Sequence, residues 1–182
     1  PYPTEGGIDQ FAEMEQTFRA IAEAVGKSAE AEDVLNNMNA SFDAAKAKLQ
    51  AAGKEGAQIV LTQAYSSDNV PALRLFTDNS MAIGILNKIG LTNAFKSDKF
   101  EIYGYSQATV ESLPAVQDAH FLHTVQDTDN VFENQLKDNP VWNGLNFVKE
   151  NRVYALGGDT WPFGGPLMAE ILADKVTNLL TA

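Results

Sequence analysis

Apolar positions in the first fifty residues recur at helical spacing. In "IDQFAEMEQTFRAIAEAV", Phe11, Met14, Phe18, Ile21 and Val25 fall three or four apart, which puts them on one stripe of an amphipathic helix. "VGKS" then breaks the pattern. Ser28 has the chemistry of an N-cap, and Glu30, Glu32 and Asp33 suit the positive end of a second helix. That helix carries Val34, Leu35, Met38, Phe42, Ala45 and Leu49, with its lysines late, before Gly53. The pattern predicts about 24 residues, roughly 36 Å at 1.5 Å per residue, where about 11–12 residues is usual. Such a length suits a strut between two bodies, or one side of a helical layer.

From Ala57 the period changes. "AQIVLTQA" and "ALRLF" read as strands, and "NSMAIGILNKIG" as a helix opening at Asn79 or Ser80. "FEIYGYS" predicts a short strand leading to a helix around "TVESLPAV". "DAHFLHTV" is a strand, "DNVFENQL" a helix, "NPVWNGLNFV" a helical turn and "RVYAL" the last strand, before a final helix over residues 165–181. Strands alternating with helices imply an α/β fold with a mainly parallel sheet covered on both faces. "GKEG" at residues 53–56 marks the boundary between the helical start and the α/β part. The divisions are residues 1–27, an N-terminal helical segment; 28–53, the long helix; and 54–182, the α/β lobe.

Charge and composition narrow the chemistry. A net charge of −11 and three arginines in 182 residues argue against nucleic acid and anionic membrane surfaces as partners. No apolar run approaches the roughly 20 residues needed to cross a bilayer. The absence of cysteine removes disulfides, thiolate nucleophiles and thiolate metal sites. No phosphate-binding G-x-x-x-x-G-K-S/T loop, dinucleotide G-x-G-x-x-G turn or G-x-S-x-G nucleophile elbow is present. His120 and His123 stand three apart in an expected strand, where odd offsets point to opposite faces, so joint metal ligation is not expected.

Two aromatic pairs remain. Tyr103 and Tyr105 flank Gly104 and share strand parity, so both rings can lie on one face. Trp161 and Phe163 flank Pro162 at the same spacing. Both pairs follow strands, and open α/β sheets bind ligands beyond the carboxyl ends of their strands. Pocket and core are equally open to Trp161, whereas Tyr105 leans to core and Trp142 reads as packing.

The order of segments "LFTDNSMAIGILNKIGLTNAF", "YGYSQATVESLPAVQDAHFL", "NPVWNGLNFVKENRVYAL" and "DTWPFGGPLMAEILADKV" closely resembles the C-terminal lobe of ferric-siderophore periplasmic binding proteins that feed ABC importers. "MEQTFRAIAEAVGKSAEAEDVLNNMNASFDAAKAKL" resembles the helix pair leading into that lobe, including the rigid connecting helix. The resemblance implies an N-terminal lobe outside this chain and a ligand cleft between the two lobes. It is nearest to the hydroxamate branch, in which the tryptophan and the aromatic two residues later contact the siderophore. Those positions are Trp161 and Phe163 here; Tyr103, with Tyr105 beside it, and Ser80 complete the implied ligand-binding set. Citrate and catecholate binders usually place arginines in the cleft, often right after the serine that opens the "NS" helix, and Met81 holds that place here. With no arginine near a cleft motif, a less charged hydroxamate chelate fits the sequence better.

The resemblance further implies that Glu111 docks on the inner-membrane permease and that lobe closure is small. The expectation is a monomeric solute-binding protein, not an enzyme, with no cofactor and no metal ligands of its own, because the siderophore carries its Fe(III). Its place would be periplasmic, or extracellular as a lipoprotein. A haem or cobalamin carrier of the same fold is the alternative, with Tyr103 as candidate axial ligand. An α/β oxidoreductase fragment would need a nucleotide loop that is not visible.

Overall fold

The computed structural model describes residues 3–182. Helix α1 (Gln10–Ala24) opens on Asp9, whose side chain accepts the amide of Ala12 at 2.8 Å. It ends in a left-handed glycine, Gly26 at φ 70°. The next amides return to the helix, Gly26 to Glu23 and Lys27 to Ala22, which closes the orphan carbonyls. Helix α2 (Ser28–Ala51) has the expected 24 residues and stops the same way at Gly53, φ 68°. Ser28 is its first helical residue and no side chain caps it; Lys27 occupies the cap position. The buried positions Ala31, Leu35, Met38, Phe42, Ala45 and Leu49 alternate steps of four and three, a single stripe that packs on the C-terminal helix α7 (Pro166–Thr181).

Strands β1 (Gln58–Ser67) and β2 (Val70–Phe76) form an antiparallel hairpin. Its two-residue turn, Asp68 and Asn69, has positive φ at both positions (50° and 62°), the arrangement whose twist matches the flanking strands. Strands β3 (Thr92–Asn93) and β5 (His120–Thr124) pair in parallel with β1, and β6 (Val153–Ala155) in parallel with β5. Strand β4 (Tyr105–Ala108) adds antiparallel to β2. The order is β4-β2-β1-β5-β6, with β3 beside the start of β1. The α/β class is therefore met by a sheet whose parallel half carries an antiparallel hairpin edge.

Alternate residues feed two cores. Ile59, Leu61, Phe76 and Leu122 meet α1, α2, helix α3 (Met81–Lys88) and α7. Val60, Leu73, Leu75 and Phe121 meet the 3-10 turn at Val110–Val116 and the short helices α4 (Val131–Asn134), α5 (Pro140–Gly144) and α6 (Asn146–Lys149). Trp142 is buried in this second core, with ring contacts to Phe121, Phe132 and Phe147. The predicted helix at "TVESLPAV" is a 3-10 segment, and Pro114 inside it supplies no amide for an α-helical ladder. The stripe on α1 is only half used: Phe11 and Met14 are buried, whereas Ile21 and Val25 are exposed. Beside them lies an open apolar groove of about 390 Å³ bounded by Met14, Phe18, Ile21 and Phe163.

Candidate functional site

At the carboxyl ends of the parallel strands, the two predicted aromatic pairs meet. Trp161 and Phe163 stand edge to face with ring centroids 5.7 Å apart, and Tyr103 and Tyr105 stack at 6.2 Å. Buried Phe76 joins the pairs, 5.7 Å from Phe163 and 6.3 Å from Tyr105. Trp161 and Tyr103 remain 57% and 52% exposed, so the outer rings of this wall face solvent while Tyr105 and Phe163 lean into the core. The four rings and Arg74 border an open cavity of about 480 Å³.

The tyrosines come together for a different reason from strand parity. Tyr103 lies in a turn, and β4 begins only at Tyr105. Gly104, at φ 75°, reverses the chain between them. A Cβ on Gly104 would lie 2.8 Å from the Ser80 Cβ and 2.9 Å from the Ser80 Cα, so only glycine fits. The turn is fastened from three sides. Asn79 donates its amide nitrogen to the Glu101 carbonyl (2.8 Å), Gln10 donates to the Ile102 carbonyl (3.2 Å), and the Thr77 amide donates to the Gly104 carbonyl (3.0 Å). Gln10 also accepts the Met81 amide at 3.2 Å, tying α1, α3 and the tyrosine turn together.

Ser80 does not join the wall. It is fully buried, and its hydroxyl oxygen accepts the Ile83 amide at 3.1 Å as the N-cap of α3. The ligand-facing expectation is corrected to a capping role, because a hydroxyl closed behind Gly104 has no path to the cavity.

On the other side, the loop from Leu156 to Thr160 sets Trp161. Lys175 of α7 reaches into it, donating to the Leu156 carbonyl (3.2 Å), Asp159 (3.1 Å) and the Thr160 hydroxyl (2.7 Å). Thr160 is itself buried and donates to the Leu156 carbonyl. Pro162, between the two aromatics in the chain, is buried.

Arg74 is the residue that the motif order missed. The expectation of a cleft without arginine is corrected: its guanidinium sits between the rings of Tyr65 and Tyr105, 4.8 and 4.9 Å from their centroids. Gln63 accepts from Nη1 at 2.9 Å. A usable signal existed in "ALRLF", where Arg74 shares strand parity with Phe76, but its neighbours are set by the hairpin register, in which Arg74 faces Gln63. Behind it a small notch of about 130 Å³ continues between β1 and β5, reached past Arg74 and Trp161.

The histidines point to opposite faces, as their spacing predicts. The His120 Nδ1 lies 3.1 Å from the Tyr154 hydroxyl. Burial, with the charges of Lys54 and Arg152, lowers its pKa. His123 is buried against Phe132, centroids 4.2 Å apart, and burial alone lowers its pKa to about 4. Among the described residues no group of three His, Cys, Asp or Glu is placed to hold a metal ion. Glu111 is exposed at the start of the 3-10 segment; the hydroxyl of Thr109 donates to it and lowers its pKa.

Comparison with known proteins gives the family of the chain. The chain is 29% identical over 167 residues to the Fe(3+)-citrate-binding protein YfmC of Bacillus subtilis, covering 91% of this chain and 50% of that protein. It is 22% identical over 176 residues to the achromobactin-binding periplasmic protein of Dickeya dadantii, covering 94% of this chain and 57% of the relative. The chain thus spans about half the length of these curated relatives. The crystal structure of the siderophore-binding protein FhuD of Vibrio cholerae bound to Fe3+-Desferal superposes with a TM-score of 0.80 at 25% identity, covering 94% of this chain and 62% of that one. The sequence model of the periplasmic binding proteins, solute carriers and not enzymes, matches residues 4–160, and the chain belongs to that family.

Proposed function

We propose that this chain supplies one wall of the cleft in which a ferric siderophore is captured for delivery to an ABC importer, outside the cytoplasm. The observation that carries the reading is the convergence of Trp161, Phe163, Tyr103 and Tyr105 on one open cavity at the strand ends. Half-exposed aromatic rings held rigidly from behind present apolar surface at small entropic cost, the property a bulky chelate requires. The iron arrives fully coordinated, so the protein needs shape and charge complementarity and no ligating cluster. The relatives support the cargo class: one is named for Fe(3+)-citrate, one for achromobactin, and the FhuD structure holds Fe3+-Desferal. Glu111, exposed on the 3-10 segment, is proposed to face the permease.

Tryptophan fluorescence of the intact protein tests the reading. Trp142 is buried and Trp161 is exposed, so ligand binding should quench Trp161 selectively and Trp161→Phe should abolish most of the change. Trp161→Ala should weaken a ferric chelate by about tenfold or more, equivalent to roughly 1.4 kcal/mol. Absence of quenching by micromolar ferric citrate and ferric desferrioxamine alike overturns the proposal.

A further inference from the structure

Trp161 is carried by a segment with little means of holding its own shape. Residues 156–165 read "LGGDTWPFGG", four glycines in ten, and glycine loses more conformational freedom on ordering than any other residue. The backbone of the bend closes with a hydrogen bond from the Thr160 amide to the Gly157 carbonyl at 3.2 Å. Trp161 stands out of this segment, 57% exposed, so the ring is oriented mainly by the backbone that carries it.

The hold on the bend comes from α7. That helix is seated on the core through buried Ala169, Leu172, Ala173 and Val176, so Lys175 departs from a rigid base. A lysine ammonium has three donors, and here each meets an oxygen of the bend: the Leu156 carbonyl, the Asp159 carboxylate and the Thr160 hydroxyl. The Thr160 hydroxyl donates in turn to the Leu156 carbonyl, so ammonium, hydroxyl and carbonyl form a closed triangle directly before Trp161. From beyond β5, Gln126 donates to the Gly158 carbonyl at 2.8 Å, and a Cβ on Gly158 would lie 2.7 Å from the Val125 carbonyl. The bend is thus gripped between the end of β5 and α7.

The three lysine contacts differ in weight. The Asp159 side chain is 83% exposed, and water screens that ion pair. Thr160 and Leu156 are buried, and removing the ammonium would leave their oxygens short of a donor away from water. Lysine also has more rotamer freedom to lose than most side chains. Here that freedom is given up entirely to the bend that carries Trp161.

We propose that Lys175 is a positioning residue of the binding site: from α7 it locks residues 156–160 and so holds the Trp161 ring at the cavity before the cargo arrives. A ring aimed in advance leaves no loop to be ordered on binding. For the contact between Trp161 and its cargo the inference rests on the siderophore reading above; the locking itself is a property of the ligand-free protein.

Time-resolved fluorescence anisotropy of the intact, ligand-free protein tests the locking, with Trp161→Phe counterparts giving the Trp142 background. Lys175→Met keeps the aliphatic stem and loses the donors, and the fast nanosecond component of Trp161 should grow about twofold or more. Calorimetric titration with ferric citrate and ferric desferrioxamine tests the consequence. Lys175→Met should weaken each chelate that the wild type binds by about fivefold. In a Trp161→Ala background the same change should weaken it by less than about twofold, because the lysine acts through the tryptophan. Thr160→Val, which breaks the triangle with little change of volume, should move both readouts in the same direction and carries the test if Lys175→Met does not fold. Unchanged anisotropy overturns the proposal, as does an undiminished loss of affinity in the Trp161→Ala background, which would make Lys175 a direct contact. Binding of neither chelate by the wild type removes the siderophore reading, and the anisotropy then decides the locking by itself.

Discussion

Acid should destabilise this lobe, with the largest share coming from one buried side chain, His123. Its ring packs against Phe121 and Phe132, and its Nδ1 is buried without a partner, so protonation would strand a charge among aromatic rings. Burial lowers its pKa from 6.5 to about 4. The unfolded chain therefore binds more protons than the native state throughout that window, and stability falls as pH drops through it. With those two values the loss is about 2 kcal/mol between pH 7 and pH 5 and about 3 kcal/mol by pH 4. His123→Phe removes the titrating group and keeps a planar ring; His123→Leu controls for ring volume. Urea midpoints followed by circular dichroism at pH 7, 6, 5 and 4, at constant ionic strength, give the wild-type slope and the variant slopes. His120 shifts in the same direction but is present in every protein compared, so the difference isolates His123. Wild type and both variants losing stability in parallel would refute the assignment.

Two further outcomes are expected. Gly104→Ala should cost about 2–4 kcal/mol, from a left-handed alanine and an overlap with the Ser80 backbone that cannot relax. Its melting temperature should fall by about 5–15 °C and its chelate affinity should fall with it, since the turn aims Tyr103; an unchanged thermal transition would contradict the close approach. Glu111→Ala should leave chelate affinity intact and reduce siderophore-dependent uptake in cells, and a loss of binding would refute the docking role.

Much of the fold was legible because it is written in local periods. The four-three stripe of α2 declared its length and its buried face, and glycine followed by lysine stopped both opening helices where the apolar rhythm broke. The hairpin also has a local signal in "SSDNV", two turn-forming residues between β-runs. The misread positions share one cause. Ser80 and Gly104 stand far apart in the chain yet in contact, and the first loses its ligand-facing role to the second. Likewise, Ile21 and Val25 obey the helical period, but burial depends on what α1 crosses, and among the described residues no neighbour buries them.

The sequence by itself determined most of the element types and the α/β class, and it singled out Trp161, Phe163, Tyr103 and Tyr105 as candidates, because these depend on residue chemistry and short spacing. Only the tertiary structure decided that Arg74 stands among them. Its position follows from the register of a hairpin, the docking of β4 at the sheet edge and the return of the chain after β6, none of which leaves a local trace. Side-chain identity is a property of one position; the charge of a cleft belongs to every strand that ends there.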